Sequence, residues 1–188
     1  MKAPFKVVCF SWLVARNAYL THDKLQRRGF QLCSRCFLCG AAGENNSHLF
    51  IHCPVTGQLW QLFLNMAETN WTMPEHTADL WSSWIRRGGS KSQKAWLRII
   101  PYCIWWTFWK ERNSRNFEDR SNSIEKVKGN CIVSFYFWCK EKDLEETEQI
   151  VELLGSLQVF FSLFLFPLFF EGHQHILNAK EYNITILN

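Results

Sequence analysis

Apolar positions along this chain recur mainly at helical spacing. Residues 5–20 form an apolar run around Trp12 and Leu13 that predicts a helix. Thr21-His22-Asp23-Lys24-Leu25-Gln26-Arg27-Arg28-Gly29 reads as a short second helix. Thr21 suits the N-cap and Asp23 the first turn, Arg27 and Arg28 the last turn, and Gly29 the left-handed position beyond it. Residues 31–53 show no period and are rich in Cys, Gly and Asn. Pro54 fits a first helical position, and Leu59, Leu62, Phe63 and Met66 lie on one helical face. Residues 67–75 read as a linker around Pro74, and 77–87 as a helix ended by Gly88-Gly89.

A longer helical stretch covers 92–116, where Pro101 marks either a kink or the start of a second helix. Its centre, from Tyr102 to Trp109, is apolar on nearly all sides and calls for burial all round. A further helix is expected over 123–140, with Asn122 and Glu125 at capping-box spacing. A short acidic helix is expected over 143–154, ending at Gly155. The fold class is therefore mainly α: a small module around the Cys-rich loop, a helical segment and an apolar tail, with any β structure confined to that loop. Residues 1–66 are expected to form the first domain, 76–155 a Trp-rich helical region, and 156–188 an unstructured tail.

The 188 residues include ten Trp, and 16% are aromatic, so material for a core is not scarce. Disordered and collagenous classes are excluded. The net charge of +4 conceals an asymmetry. Residues 1–60 carry seven basic and two acidic side chains, and 61–140 twelve and seven. Residues 141–188 carry two and eight. A basic body suits a polyanionic partner.

Residues 153–170 carry no charge and reach the length of a membrane span. Gln158, Gly155, Pro167 and two Ser interrupt the run, and Glu152 and Glu171 flank it where basic residues would be expected. A sticky, poorly structured tail is the expectation, not a span, and no membrane partner is expected. The first residues lack a cleavage box, because Arg16 sits inside Ala15-Arg16-Asn17-Ala18. An intracellular chain, nuclear or cytoplasmic and not secreted, is expected. The glycosylation triplets at Asn45, Asn70 and Asn183 then have no use.

In a reducing compartment, the eight cysteines point to metal where they cluster. Cys36-x2-Cys39-x8-His48-x4-Cys53 has the spacing of one zinc site. Two thiolates two residues apart can reach a Zn²⁺ from one tight turn, with Gly40 and Gly43 supplying backbone freedom, and His48 and Cys53 approach from the far side. Arg35 could offset the net negative charge of such a site. Four protein ligands leave no position open for a catalytic water, so one structural Zn²⁺ is the expected cofactor. Two rivals remain open: Cys33 could displace a ligand, and His52 would give a Cys2His2 set in place of Cys53. His22 and His76 are expected at the surface, and His173 and His175 fall in the tail.

The residues around this motif resemble a known family. Phe10-Ser11-Trp12, Leu20-Thr21, Leu25, Arg28-Gly29, Cys36-x-x-Cys39-Gly40, Glu44, His48-Leu49-Phe50, Cys53-Pro54 and Leu59-Trp60 resemble the zinc-binding domain at the C-terminal side of plant non-LTR (LINE-type) retrotransposon reverse transcriptases. The resemblance covers roughly residues 4–65, and the family's ligands land on Cys36, Cys39, His48 and Cys53. Trp105-Trp106 with Trp109-Lys110-Glu111-Arg112-Asn113-x-Arg115-x-Phe117 is similar to the segment downstream of that domain in related plant reading frames.

The family's domain begins a couple of dozen residues earlier, so an N-terminally truncated copy is expected. Polymerase chemistry needs paired aspartates for Mg²⁺, and Asp23, Asp79, Asp119 and Asp143 include no adjacent pair. No RNase H or endonuclease-like carboxylate set is apparent. The expectation is a non-catalytic accessory module that contacts RNA or DNA through Lys24, Arg27, Arg28 and Arg35, with Phe30 and Phe37 able to stack on bases. The competing expectation is an architectural zinc module whose Trp residues in 81–109 dock the polymerase domain of a parent element.

Overall fold

A computed structural model describes residues 3–140 other than 42, 87 and 89, all within one compact unit, Met1–Thr147. Among the described residues, seven α-helices follow one another: α1 Phe5–Ala15, α2 His22–Arg27, α3 Pro54–Met66, α4 Thr77–Ile85, α5 Lys91–Leu97, α6 Ile100–Phe117 and α7 Ile124–Lys140. A π-helical turn, His48–His52, precedes α3. The described residues contain no strand, in keeping with a mainly α chain. The expected acidic helix over 143–154, the uncharged stretch 153–170 and the tail 156–188 lie outside the described residues. No helix among the described residues is long and apolar enough to cross a membrane.

The central element is α6. Cys103, Ile104, Trp105, Thr107, Phe108 and Trp109 are all buried, as an all-round apolar helix requires. It packs against α7, α1, α3 and the π-turn. Pro101 lies in its first turn, where its missing N–H costs nothing. The proline therefore starts a new helix and does not kink one. α5 begins before it with a capping box. The Ser90 hydroxyl accepts from the Gln93 N–H (3.1 Å), and Gln93 Oε1 accepts from the Ser90 N–H (3.0 Å).

α1 stops at Ala15, short of the expected residue 20. Asn17 takes φ +51° there, its N–H bonds the Val14 carbonyl, and the Ala18 N–H bonds that of Leu13. The same 5→2 and 6→1 pattern closes α2 at Gly29 and α3 at Glu68. On α1, Val7, Phe10 and Val14 face inward. Phe10 meets Phe50 of the π-turn at 5.9 Å and Trp106 of α6 at 5.4 Å between ring centroids. Trp84, Trp105 and Trp109 are likewise buried within this chain, whereas Trp81, Trp96 and Trp106 are half-buried.

The Asn122–Glu125 capping box does not form. Ser123 caps α7 by accepting from the Lys126 N–H (3.3 Å), while the Asn122 amide donates to Glu111 Oε2 (2.8 Å). The nearby buried carboxylate draws Asn122 away.

Candidate metal centre

Cys36, Cys39, His48 and Cys53 converge, with Sγ and imidazole nitrogen atoms all within 4.8 Å of one another. Cys39 Sγ lies 3.4 Å from His48 Nε2. A tetrahedral Zn²⁺ with Zn–S bonds of about 2.3 Å would hold its sulfurs about 3.8 Å apart, so the four donors fit that ion. Cys36 and Cys53 are buried, and Cys39 and His48 are half-buried. Bound there, zinc would supply a closed structural cross-link.

Local backbone geometry explains the spacing. The Gly40 N–H bonds the Cys36 carbonyl (2.8 Å), and Gly40 has φ +74°, so the tight turn needs this glycine. Gly43 does not take a left-handed φ; a Cβ there would come within 3.2 Å of Ser34 Oγ. The His48 N–H donates to Asn45 Oδ1 (2.8 Å), and the Cys53 N–H donates to the His48 carbonyl (2.6 Å). That last bond spans five residues. In an α-helix, side chains five apart would diverge by about 140°. The wider π-turn swings Cys53 back to the His48 side.

The electrostatics divide the donors: Cys53 and His48 are shifted toward their ligand forms, whereas Cys36 holds its proton until a metal displaces it. The Cys36 thiol is pushed up, first by its hydrogen bond with Cys53 and then by burial. Cys53 is lowered by the same hydrogen bond and by the backbone of Val55 and Thr56, since it stands at the N-terminus of α3. Burial lowers His48 and keeps its imidazole neutral, as a ligand must be.

The rival ligands stand elsewhere. His52 is exposed, with Nε2 3.1 Å from the Glu75 carbonyl, and Cys33 is exposed outside the cluster. His76 is at the surface as expected, but His22 is not: it is buried against Phe37 at 5.2 Å. Its backbone N–H donates to Glu44 Oε1 (3.2 Å), which draws the start of α2 inward. Arg27, Arg28 and Arg35 are exposed, and Lys24 is half-buried.

Four residues quoted in the sequence motif, without a role assigned to them, hold the loop in place. Glu44 forms a buried ion pair with Arg112 of α6. Glu111 accepts from Arg115 Nε (2.7 Å) and the Asn122 N–H (2.9 Å). Arg115 Nη1 donates to the Leu38 carbonyl (3.1 Å), inside the Cys36–Cys39 turn. Charged residues inside an apolar helix were the available signal.

Residues 1–60 match the family model described as zinc-binding in reverse transcriptase. The chain is also similar to a protein of Arabidopsis thaliana named as a ribonuclease H protein. The two are 25% identical over 137 residues, covering 68% of this chain and 20% of the relative. The chain thus spans about a fifth of that relative's length. No solved structure matches.

Proposed function

We propose that this chain is a zinc-stapled, non-catalytic accessory module of a plant non-LTR (LINE-type) retrotransposon reverse transcriptase, and that it binds nucleic acid. The convergence of Cys36, Cys39, His48 and Cys53 within 4.8 Å carries the reading, together with the family match over the same residues. These four residues bind one Zn²⁺, whose role is structural because no ligand position is left open. Residues 1–66 supply the metal and the basic edge, 76–155 the helical buttress, and 156–188 an apolar remainder. The chain works inside the cell, in the nucleus or cytoplasm, where its thiols stay reduced.

Nucleic acid is contacted through Lys24, Arg27, Arg28 and Arg35, and the net positive charge of the first 140 residues supports this. The test is metal analysis and salt-dependent binding on the full chain. One zinc per chain is expected, absent in Cys39→Ser. Affinity for a mixed-sequence oligonucleotide should fall steeply with salt, and Arg27→Ala with Arg28→Ala should flatten that slope. A metal-free native chain, or salt-independent binding, defeats the proposal.

A second reading, a purely architectural zinc module, is favoured by the Glu44–Arg112 and Arg115–Leu38 contacts, which turn the loop toward its own α6. It predicts zinc binding with no nucleic-acid affinity at low salt.

A further inference from the structure

The chain after α2 reverses and runs back beside the helix. Gly29, at φ +89°, makes the turn. The Phe30 N–H bonds the Leu25 carbonyl (3.1 Å), and Gln26 Nε2 donates to the Leu32 carbonyl (2.8 Å). Between helix and return segment lies an open groove of about 570 Å³, lined by Gln26, Phe30, Gln31, Leu32 and Cys33.

Phe30 is 58% exposed there. Neither hydrogen bond that shapes the reversal uses its ring, so folding alone would accept a polar side chain at this position. Phe37, the other stacking candidate, is already committed edge-on to His22.

Charge gathers at the same place. Arg27 and Arg28 are exposed beside Phe30, and the Lys24 ammonium is lowered first by burial and then by these two neighbours, against Asp23. Against these cations stands Asp23, 3.8 Å from Arg27. The return segment carries exposed Arg35 back toward the His22 end of α2. The helix has six residues, so the two basic ends are about 9 Å apart along it. Like charges crowded around a bare aromatic ring disfavour a cationic or purely apolar occupant and suit a polyanion with a flat face.

The geometry points to a single-stranded nucleic-acid site in this groove. One unpaired base stacks on Phe30 between Gln26 and Gln31, and the flanking phosphates meet Arg27 and Arg28 on one side and Arg35 on the other. A duplex keeps its base faces covered, and so offers nothing to the ring. This inference rests on the nucleic-acid reading above and narrows it to a strand type and a stacking residue.

The experiment is fluorescence anisotropy on the zinc-loaded full chain at low salt, with short oligouridine, oligothymidine and a blunt RNA duplex as probes. Both single strands are expected to bind more tightly than the duplex, and a difference between them separates RNA from DNA. Phe30→Leu should weaken single-strand binding about tenfold and leave duplex binding unchanged, while Phe30→Trp preserves it. Arg27→Ala with Arg28→Ala should weaken all three. Zinc content of each variant checks its fold. Wild-type affinity in Phe30→Leu, or equal affinity for duplex and single strand, overturns the groove and leaves the broader reading standing. No binding of any probe by the wild type removes both.

Discussion

Arg112 and Glu44 stand 68 residues apart in the chain and meet as a forked ion pair with 1% and 0% of their side chains exposed. Arg112 Nη2 donates to Glu44 Oε1 at 2.6 Å, and Nε lies 3.1 Å from each carboxylate oxygen. The guanidinium also lies 4.9 Å from the Trp109 ring centroid. Removing one partner strands a buried charge. Arg112→Met or Glu44→Leu should each destabilise the chain by about 3–5 kcal/mol. The double substitution should recover most of that loss. Urea unfolding of the zinc-loaded chain reads the difference, and additive losses would mean that the pair is not coupled.

Arg115 grips the metal turn from outside through the Leu38 carbonyl. Groups in this outer position commonly change metal affinity by about 10–100-fold when removed. Arg115→Ala should therefore speed zinc transfer to a competing chelator by about tenfold, and Arg115→Lys should fall between, because a lysine cannot also span to the Asn122 carbonyl. An unchanged transfer rate would show that the turn holds itself.

His22 is kept neutral: burial lowers its pKa from the ordinary 6.5, and Arg112 adds to this while Glu44 opposes it. Its ring nitrogens find no well-formed hydrogen bond, although the backbone of Cys33 and Arg35 lies nearby. The unfolded chain binds the His22 proton more readily than the folded one. Stability from this site is therefore complete above about pH 6.5 and falls as the pH drops below it. Zinc release adds its own acid sensitivity in every variant. The slope of unfolding free energy from about pH 7 to about pH 5 should thus be shallower in His22→Leu than in the wild type. Parallel slopes would exclude the histidine as a contributor.

Trp60 is 1% exposed, and its Nε1–H donates to the Phe50 carbonyl (2.9 Å). That carbonyl belongs to the π-turn joining His48 to Cys53. Trp60→Phe should cost about 1–3 kcal/mol, because the buried acceptor loses its partner. Trp60→Ala should cost about 3–5 kcal/mol and leave a cavity beside the π-turn. Thermal melts with and without zinc should show a larger zinc-dependent gain in the wild type than in either variant.

Much of the local structure was legible because its causes are local. Leu59, Phe63 and Met66 are buried on one side of α3, as their spacing required, and the nearly all-round apolar surface of Tyr102–Trp109 called for a buried helix. The metal donors were readable for the same reason: all four lie within one short loop. What escaped depends on distant partners. Nothing near His22 announces Glu44 or Arg112, so a polar ring beside basic residues read as surface. Asn122 has a capping residue's spacing, but Glu111, already pairing with Arg115, claims its amide. Asn17 and Glu68 close helices in a left-handed geometry that side-chain type alone signals weakly.

The two arginine contacts from α6 affect how such a segment could be moved between genes. A recombination event that carried only the first sixty residues to a new reading frame would transplant every sulfur and the imidazole, yet leave behind the guanidinium groups that brace them. For a copy to keep that bracing, loop and helix would have to travel together. Duplicated copies ending before Arg112 should accumulate changes at Glu44 first, since its charge would have lost the reason to stay.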